Sequence, residues 1–342
     1  MKSISRRSFL ASASAGTLAL TVSLSTSLRA QSTITMRISS SMSAYQNAAH
    51  YIWYERFAAN LQGAVGDRVK LGYFPDSQLG KEADIVQQVK VGSIDMMITG
   101  SSIWATVAPE FGMLDLGYVF DSYPHAFKAL DGGVGSQLGK ILFDRTGCTV
   151  LDWASHFGPR SVYTKNPVKG LADLKGVKLR VLPAPAFIET FKIMGAIPTP
   201  IPINELYTAL QTGVVDGFEH DAASVLQYKF AEQVKYCWLT EHLFSPMVCV
   251  IGKHGLEKVP ADMRPAFLKA ANDATVYERG VAAEKGKAAT AELMRLGVTF
   301  TPMAKAEREQ VRKEMEVRVW ASFIKEYPVT QPMFDAIAVA RT

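Results

Sequence analysis

The sequence predicts an α/β protein made of two related units, and three observations carry the prediction. From Thr35 onward, short apolar strand patterns alternate with amphipathic helical ones. One helix–glycine–strand unit recurs in the second half, and a helical stretch too long for one small domain follows it. At 342 residues, 48% hydrophobic and 20% charged, the chain can build two ordinary cores.

The first thirty residues stand apart. Ser5-Arg6-Arg7-Ser8-Phe9-Leu10 fits a twin-arginine export signal, and a run of small residues and leucines follows from Ala11 to Leu28. Cleavage is expected after Ala30. Serines, threonines and Gly16 interrupt the run, which makes it too weakly apolar for a membrane anchor. No later segment is long and apolar enough to span a bilayer. Without Lys2, Arg6, Arg7 and Arg29 the formal charge falls from +5 to +1. No basic patch is left to attract nucleic acid, which is excluded as a partner.

A strand around Met36 to Ser40 leads into a helix carrying Trp53, Phe57 and Leu61 at four-residue spacing. Val69, Leu71 and Tyr73 alternate as a strand, a helix with Ile85, Val86 and Val89 ends at Gly92, and Ile94 to Thr99 reads as a buried strand. This rhythm argues for a mostly parallel sheet covered by helices. The pattern acid, amphipathic helix, glycine, any residue, Ile or Val, Asp runs from Glu82 to Asp95 and again from Glu205 to Asp216. In the second copy Ile203, Leu206, Tyr207 and Leu210 form the helical stripe, and Gly213 suits a left-handed cap. After Pro260 comes a helical stretch from Ala261 to Leu296, about 50 Å long if unbroken, with Gly280 and Gly286 as the places where it would divide. No Pro- or Gly-rich linker separates the two units, so the chain is expected to cross between them several times.

The stretch from Gly176 to Asp221 sets one arginine in an apolar strand. Val177, Leu179 and Val181 alternate onto one face, and Lys178, Arg180 and Leu182 fall on the other. Arg180 therefore stands clear of the core-packing face, with a planar fork suited to gripping a carboxylate through two parallel hydrogen bonds. The stretch continues as GAIPTP from Gly195 to Pro200 and ELYTALQTGVVDGFE from Glu205 to Glu219. An earlier block, YFPDSQLGKEADIVQQVKVGSIDMM, runs from Tyr73 to Met97 and is followed by Pro109-Glu110-Phe111.

In order and separation these blocks closely resemble the solute-binding receptors of TRAP transporters, the DctP type, over essentially the whole chain beyond the export signal. The resemblance implies a two-lobed periplasmic binding protein fold, with a ligand cleft between the lobes and a long helix spanning both. Lobe I is expected at 31–157 with roughly 246–285, and lobe II at 158–245 with roughly 286–342. It also implies a periplasmic receptor, expected to be a monomer, that closes on a small organic acid and delivers it to the TRAP membrane subunits. No cofactor, metal or catalytic residue is expected.

Under the same resemblance Arg180 is the principal carboxylate clamp. Arg160, in HFGPRSVYT, matches the G-x-R that supplies a second basic contact. His220 stands where many of these receptors carry asparagine; a neutral imidazole donates one hydrogen bond and accepts one, which suits a hydroxyl-bearing ligand. Ser41, Glu82, Ile203 and Asn204 fall at other cleft-facing positions, with Glu82 an acceptor for hydroxyls. Trp104, Phe157 and Phe218, together with Trp153, are candidates for apolar walls. Glu219 and Asp216 are read as holding a strand end or hinge, and Lys165, Lys169, Lys175 and Lys178 as a solvated face or contacts for the membrane partner. Gly100 replaces the acidic residue of sialic-acid receptors, which argues against that ligand. The hydrogen-bonding set favours a uronate or aldonate and leaves open a C4-dicarboxylate or an aromatic or oxo acid.

Twin-arginine export carries folded proteins, often enzymes holding a redox cofactor, so an exported enzyme is the rival reading. Its marks are missing: the chain has no C-x-x-C-H, H-E-x-x-H or G-x-S-x-G. Gly133 to Gly139 half matches a dinucleotide loop but follows a helical pattern rather than a strand. His50, His125, His156, His242 and His254 have no carboxylate or cysteine at a fixed spacing. Cys148, Cys237 and Cys249 lie in apolar runs and read as buried thiols, with Cys237 and Cys249 the one pair close enough in sequence to suggest a disulfide.

Overall fold

The computed structural model describes residues 33–341; the expected export signal and cleavage site lie outside the described residues. The strands are β1 (Ile34–Ser40), β2 (Val69–Phe74), β3 (Met96–Gly100), β4 (Thr149–Ser155), β5 (Arg160–Thr164), β6 (Lys178–Val181), β7 (Ile197–Pro200), β8 (Gly217–His220), β9 (Tyr236–Leu243), β10 (Pro246–Ile251) and β11 (Thr299–Pro302). They form two sheets, ordered β2-β1-β3-β10-β4 and β11-β9-β5-β8-β6-β7, one in each lobe.

The expected internal repeat is a repeat of topology. β1 runs parallel to β2 and β3, as β6 does to β7 and β8. In the first lobe α1 (Ala49–Val65) and α2 (Glu82–Val91) make the crossovers; helices Pro185–Ile193 and Ile203–Gln211 do so in the second. Gly92 at φ 82° and Gly213 at φ 76° turn the chain out of the repeated helix, where a Cβ would be strained. The aspartate that follows has the same task in both copies. Asp95 Oδ2 accepts from Arg37 N at 2.8 Å on β1, and Asp216 Oδ2 accepts from Lys178 N at 3.0 Å on β6. Each aspartate also donates its own N–H to that residue's carbonyl. The G-x-(I/V)-D pattern is thus a staple that ties the third strand of each unit to the first.

Trp53, Phe57 and Leu61 on α1 are fully buried against the first sheet, as their spacing predicts. The chain passes between lobes from Ser155 to Arg160 and back from Leu243 to Pro246. Ser155 pairs with Pro246 and Arg160 with Leu243, so the two passages form one antiparallel ribbon. The third passage is the helix Arg264–Arg295, whose 32 residues run unbroken through Gly280 and Gly286 for about 48 Å. Phe267 to Ala282 pack in the first lobe's core and Ala289 and Leu293 in the second's. Gly286 permits the closest approach to the ribbon, because a Cβ there would sit 2.7 Å from the Phe157 carbonyl oxygen.

The segment 286–342 is divided between the lobes. β11 pairs with β9 in the second sheet, whereas helix Gln331–Ala340 lies against Tyr123–Ala129, with the Ile337 carbonyl 2.8 Å from His125 Nε2. All three cysteines are buried and free. Among the described residues no helix is long and apolar enough to cross a membrane.

Candidate ligand-binding site

Between the lobes lies a cavity of about 40 Å³, room for about three waters. Ser41, Glu82, Arg160, Arg180, Ile203 and His220 line it, so the structure brings six of the expected residues together. There are two larger clefts, of about 700 and 720 Å³, and among the described residues neither holds an unpaired buried cation.

Arg180 sits mid-sheet on β6, flanked by β7 and β8, with Leu179 and Val181 packed into the core and its own side chain 1% exposed. Its Nε donates to the Ile201 carbonyl at 2.7 Å, while Nη1 is buried without a hydrogen-bond partner. Burial pulls its pKa down to about 10, against the pull of Glu219, so it stays charged at neutral pH. A buried cation with an unsatisfied donor is costly alone and is stabilised by an anionic acceptor.

Arg160 opens β5 beside Glu219 on β8. Its Nε and Nη2 reach the two carboxylate oxygens at 2.6 and 2.7 Å, Nη2 also reaches the Glu219 carbonyl at 3.1 Å, and both side chains are buried. Burial alone would raise the Glu219 pKa; Arg160 overrides it and holds the group at about 2. Arg160 therefore lines the cavity as an internally neutralised cation with only Nη1 to spare.

Glu82 is the first residue of α2 and accepts from Ser41 Oγ at 2.9 Å and from Thr99 Oγ1. His220 ends β8 with Nδ1 2.8 Å from Asp221 Oδ2, and Asp221 caps the following helix by accepting from Ser224 N at 2.9 Å. Contacts that cross between the lobes include Lys81 with Glu205 at 2.6 Å at the exposed rim, Tyr228 Oη donating to the Ser41 carbonyl at 2.8 Å inside, and Tyr118 N donating to the His242 carbonyl at 2.8 Å.

The other expected residues lie elsewhere. Asn204 is exposed on helix Ile203–Gln211, pointing away from the cavity that Ile203 lines. Trp104 and Phe157 belong to the hydrophobic cores, and Phe218 stacks on Tyr163 with ring centroids 5.5 Å apart. Their neighbours in sequence reach the cavity, but these rings find more apolar surface inward. Sequence reasoning missed His50, His156 and Tyr228, all of which line the cavity. For His156 the signal was its place four residues before Arg160 in the passage between lobes; His50 and Tyr228 carry no local pattern. Among the described residues no group of three histidines, cysteines or carboxylates is placed to hold a metal ion.

A two-lobed α/β fold whose lobes meet over a buried, half-satisfied arginine defines a solute receptor for anions. The chain belongs to the DctP family, family 7 of the bacterial extracellular solute-binding proteins, whose model matches residues 40–326. It is an extracytoplasmic solute-binding protein of the TRAP-transporter kind. It is 32% identical over 292 residues to the 2,3-diketo-L-gulonate-binding periplasmic protein of Escherichia coli, covering 85% of this chain and 88% of that one. Among solved structures it is similar to a sugar acid binding protein from Advenella mimigardefordensis in complex with galactonate, with a TM-score of 0.84 at 25% identity over 90% of this chain and 99% of that one. It is also similar to a TRAP periplasmic solute-binding protein from Citrobacter koseri with bound D-glucuronate, at a TM-score of 0.81 and 25% identity over 89% and 98%. These relatives are binding proteins.

Proposed function

We propose that the ligand is a sugar acid, a uronate or aldonate, whose carboxylate docks on the Arg180 guanidinium as the lobes close. The observation that carries this reading is the buried Arg180 Nη1, a charged donor without a partner on the cavity wall. Relatives that hold galactonate and D-glucuronate support it. Closure follows from the geometry: a cavity of about 40 Å³ is far smaller than drug-sized ligand pockets of roughly 300–1,000 Å³, so a sugar acid enters and is enclosed through movement of the ribbon and long helix. We place the first lobe at 33–155 and 246 to about 285 with the C-terminal helix returned to it, and the second at 160–243 with β11.

We read the chain as a binding protein without catalytic activity, exported to the periplasm through Ser5–Leu10. Replacing Arg6 and Arg7 together by lysine then blocks appearance of the protein in a periplasmic extract, and unaltered export removes the twin-arginine assignment. Isothermal calorimetry tests the ligand: D-galactonate or D-glucuronate binds the wild type and Arg180→Ala abolishes the heat. A thermal-shift screen over organic acids widens the search, because ligand at a hundred times its Kd stabilises by about 2.7 kcal/mol.

A further inference from the structure

Three imidazoles line the cavity, and two of them carry ring nitrogens that nothing in the protein satisfies. His50, the second residue of α1, places Nδ1 2.8 Å from Ser40 Oγ, which leaves Nε2 buried and unpartnered. His156, in the passage between lobes, has Nδ1 buried and unpartnered. The two rings lie 5.5 Å apart, both are almost fully buried, and both line the cavity with His220. Gly100 borders the His156 ring, and a Cβ there would lie 3.7 Å from Nε2, in ordinary contact.

The charges around this group differ from those at Arg180. Besides each other, His50 and His156 face Asp221 and His220, and His156 also faces Arg160. Arg180 instead faces Glu219, Arg160, Glu82 and Tyr228. Burial keeps all three imidazoles uncharged at neutral pH, with His156 pulled down to about 4. Arg160 is already matched by Glu219, while Glu82 and Asp221 add negative charge beside the cavity. A neutral imidazole nitrogen is one donor or one acceptor, and a hydroxyl satisfies either.

We infer that His50, His156 and His220 form a hydroxyl-reading wall that makes this receptor selective for polyhydroxylated monocarboxylates and sets it against dicarboxylates. The inference rests on the reading of Arg180 as the carboxylate clamp. A ligand hydroxyl pairs with His50 Nε2 and another with His156 Nδ1, relieving two buried orphan atoms. A second carboxylate would meet Glu82, Asp221 and three uncharged rings, with no free cation to balance it.

The test pairs D-galactonate with D-galactarate, which differ by a carboxylate in place of the terminal hydroxymethyl group. Calorimetry is expected to show galactonate binding at least a hundredfold tighter. His50→Leu and His156→Leu each lose about tenfold for galactonate, the worth of one hydrogen bond. His50→Gln and His156→Asn, whose amides reproduce the free Nε2 and Nδ1 positions, recover most of that loss. In the wild type, the ¹⁵N resonances of His50 Nε2 and His156 Nδ1 move when galactonate is added, a readout independent of any variant's folding. Equal affinity for the two acids, or histidine resonances that stay still, overturns the inference while leaving the receptor intact. A wild type that binds no sugar acid overturns both this and the proposed ligand.

Discussion

Arg160 commits Nε and Nη2 to the two carboxylate oxygens of Glu219, at 2.6 and 2.7 Å, in a site closed to solvent. The pair fixes β5 against β8 beside the cavity and leaves anion attraction chiefly to Arg180. Removing one member strands the other as a buried charge, at a cost of about 3–5 kcal/mol. Glu219→Gln is therefore expected to lower the unfolding free energy by that order in a urea titration. An unchanged midpoint at unchanged slope would show that Arg160 finds another partner.

Arg180 gives Nε to the Ile201 carbonyl, which orients its fork toward the cavity. Lysine keeps the charge but offers a point cation with no planar pair of donors. Arg180→Lys is expected to weaken D-galactonate binding by about a hundredfold in calorimetry. Affinity within a few-fold of the wild type would mean that one donor suffices.

Tyr228 joins the lobes through its hydroxyl, which donates to the Ser41 carbonyl at 2.8 Å. Because that bond exists only when the lobes are together, Tyr228→Phe is expected to act on the closed state and raise the ligand dissociation rate about tenfold. Stopped-flow measurement with a sugar acid checks it. An altered association rate with unaltered dissociation would place Tyr228 in the entry path instead.

The sequence made the scaffold legible because its signals are local. The G-x-(I/V)-D staples, the four-residue spacing of Trp53, Phe57 and Leu61, and the length of helix Arg264–Arg295 each depend on neighbours in the chain. Arg180 was legible for the same reason, as a charge on an otherwise apolar strand. The partners of the site were not. Glu219 lies 59 positions from Arg160, and Tyr228 reaches Ser41 across 187. Trp104, Phe157 and Phe218 misled because adjacency to a site residue does not say whether a ring turns toward the cavity or the core. Asn204 sits one residue beyond Ile203, and that single step of helix carries it from the cavity to solvent.

Glu278 lies fully buried midway along the long helix and accepts from Ser155 N at 3.0 Å and Ser155 Oγ at 2.8 Å, where the ribbon leaves the first sheet. Its neighbour Arg279 is turned away to Asp131 and the Trp153 carbonyl, so no cation balances the carboxylate. Burial pushes its pKa up to about 8, against the Ser155 hydrogen bonds and the weaker pull of Arg279. In the unfolded chain a glutamate titrates near 4.3. The folded protein therefore holds this proton more tightly, and the stability it contributes is complete below the unfolded value and lost as pH rises toward about 8. The slope approaches roughly 1.4 kcal/mol per pH unit inside that window. Glutamine has the shape of the protonated acid, with a carbonyl to accept from Ser155 N and an amide to meet Ser155 Oγ. Glu278→Gln is thus expected to match the wild type in urea at pH 4 and exceed it at pH 8. Parallel stability profiles for the two proteins would show that Glu278 is ionised in the fold and that its charge is balanced by water reaching the ribbon.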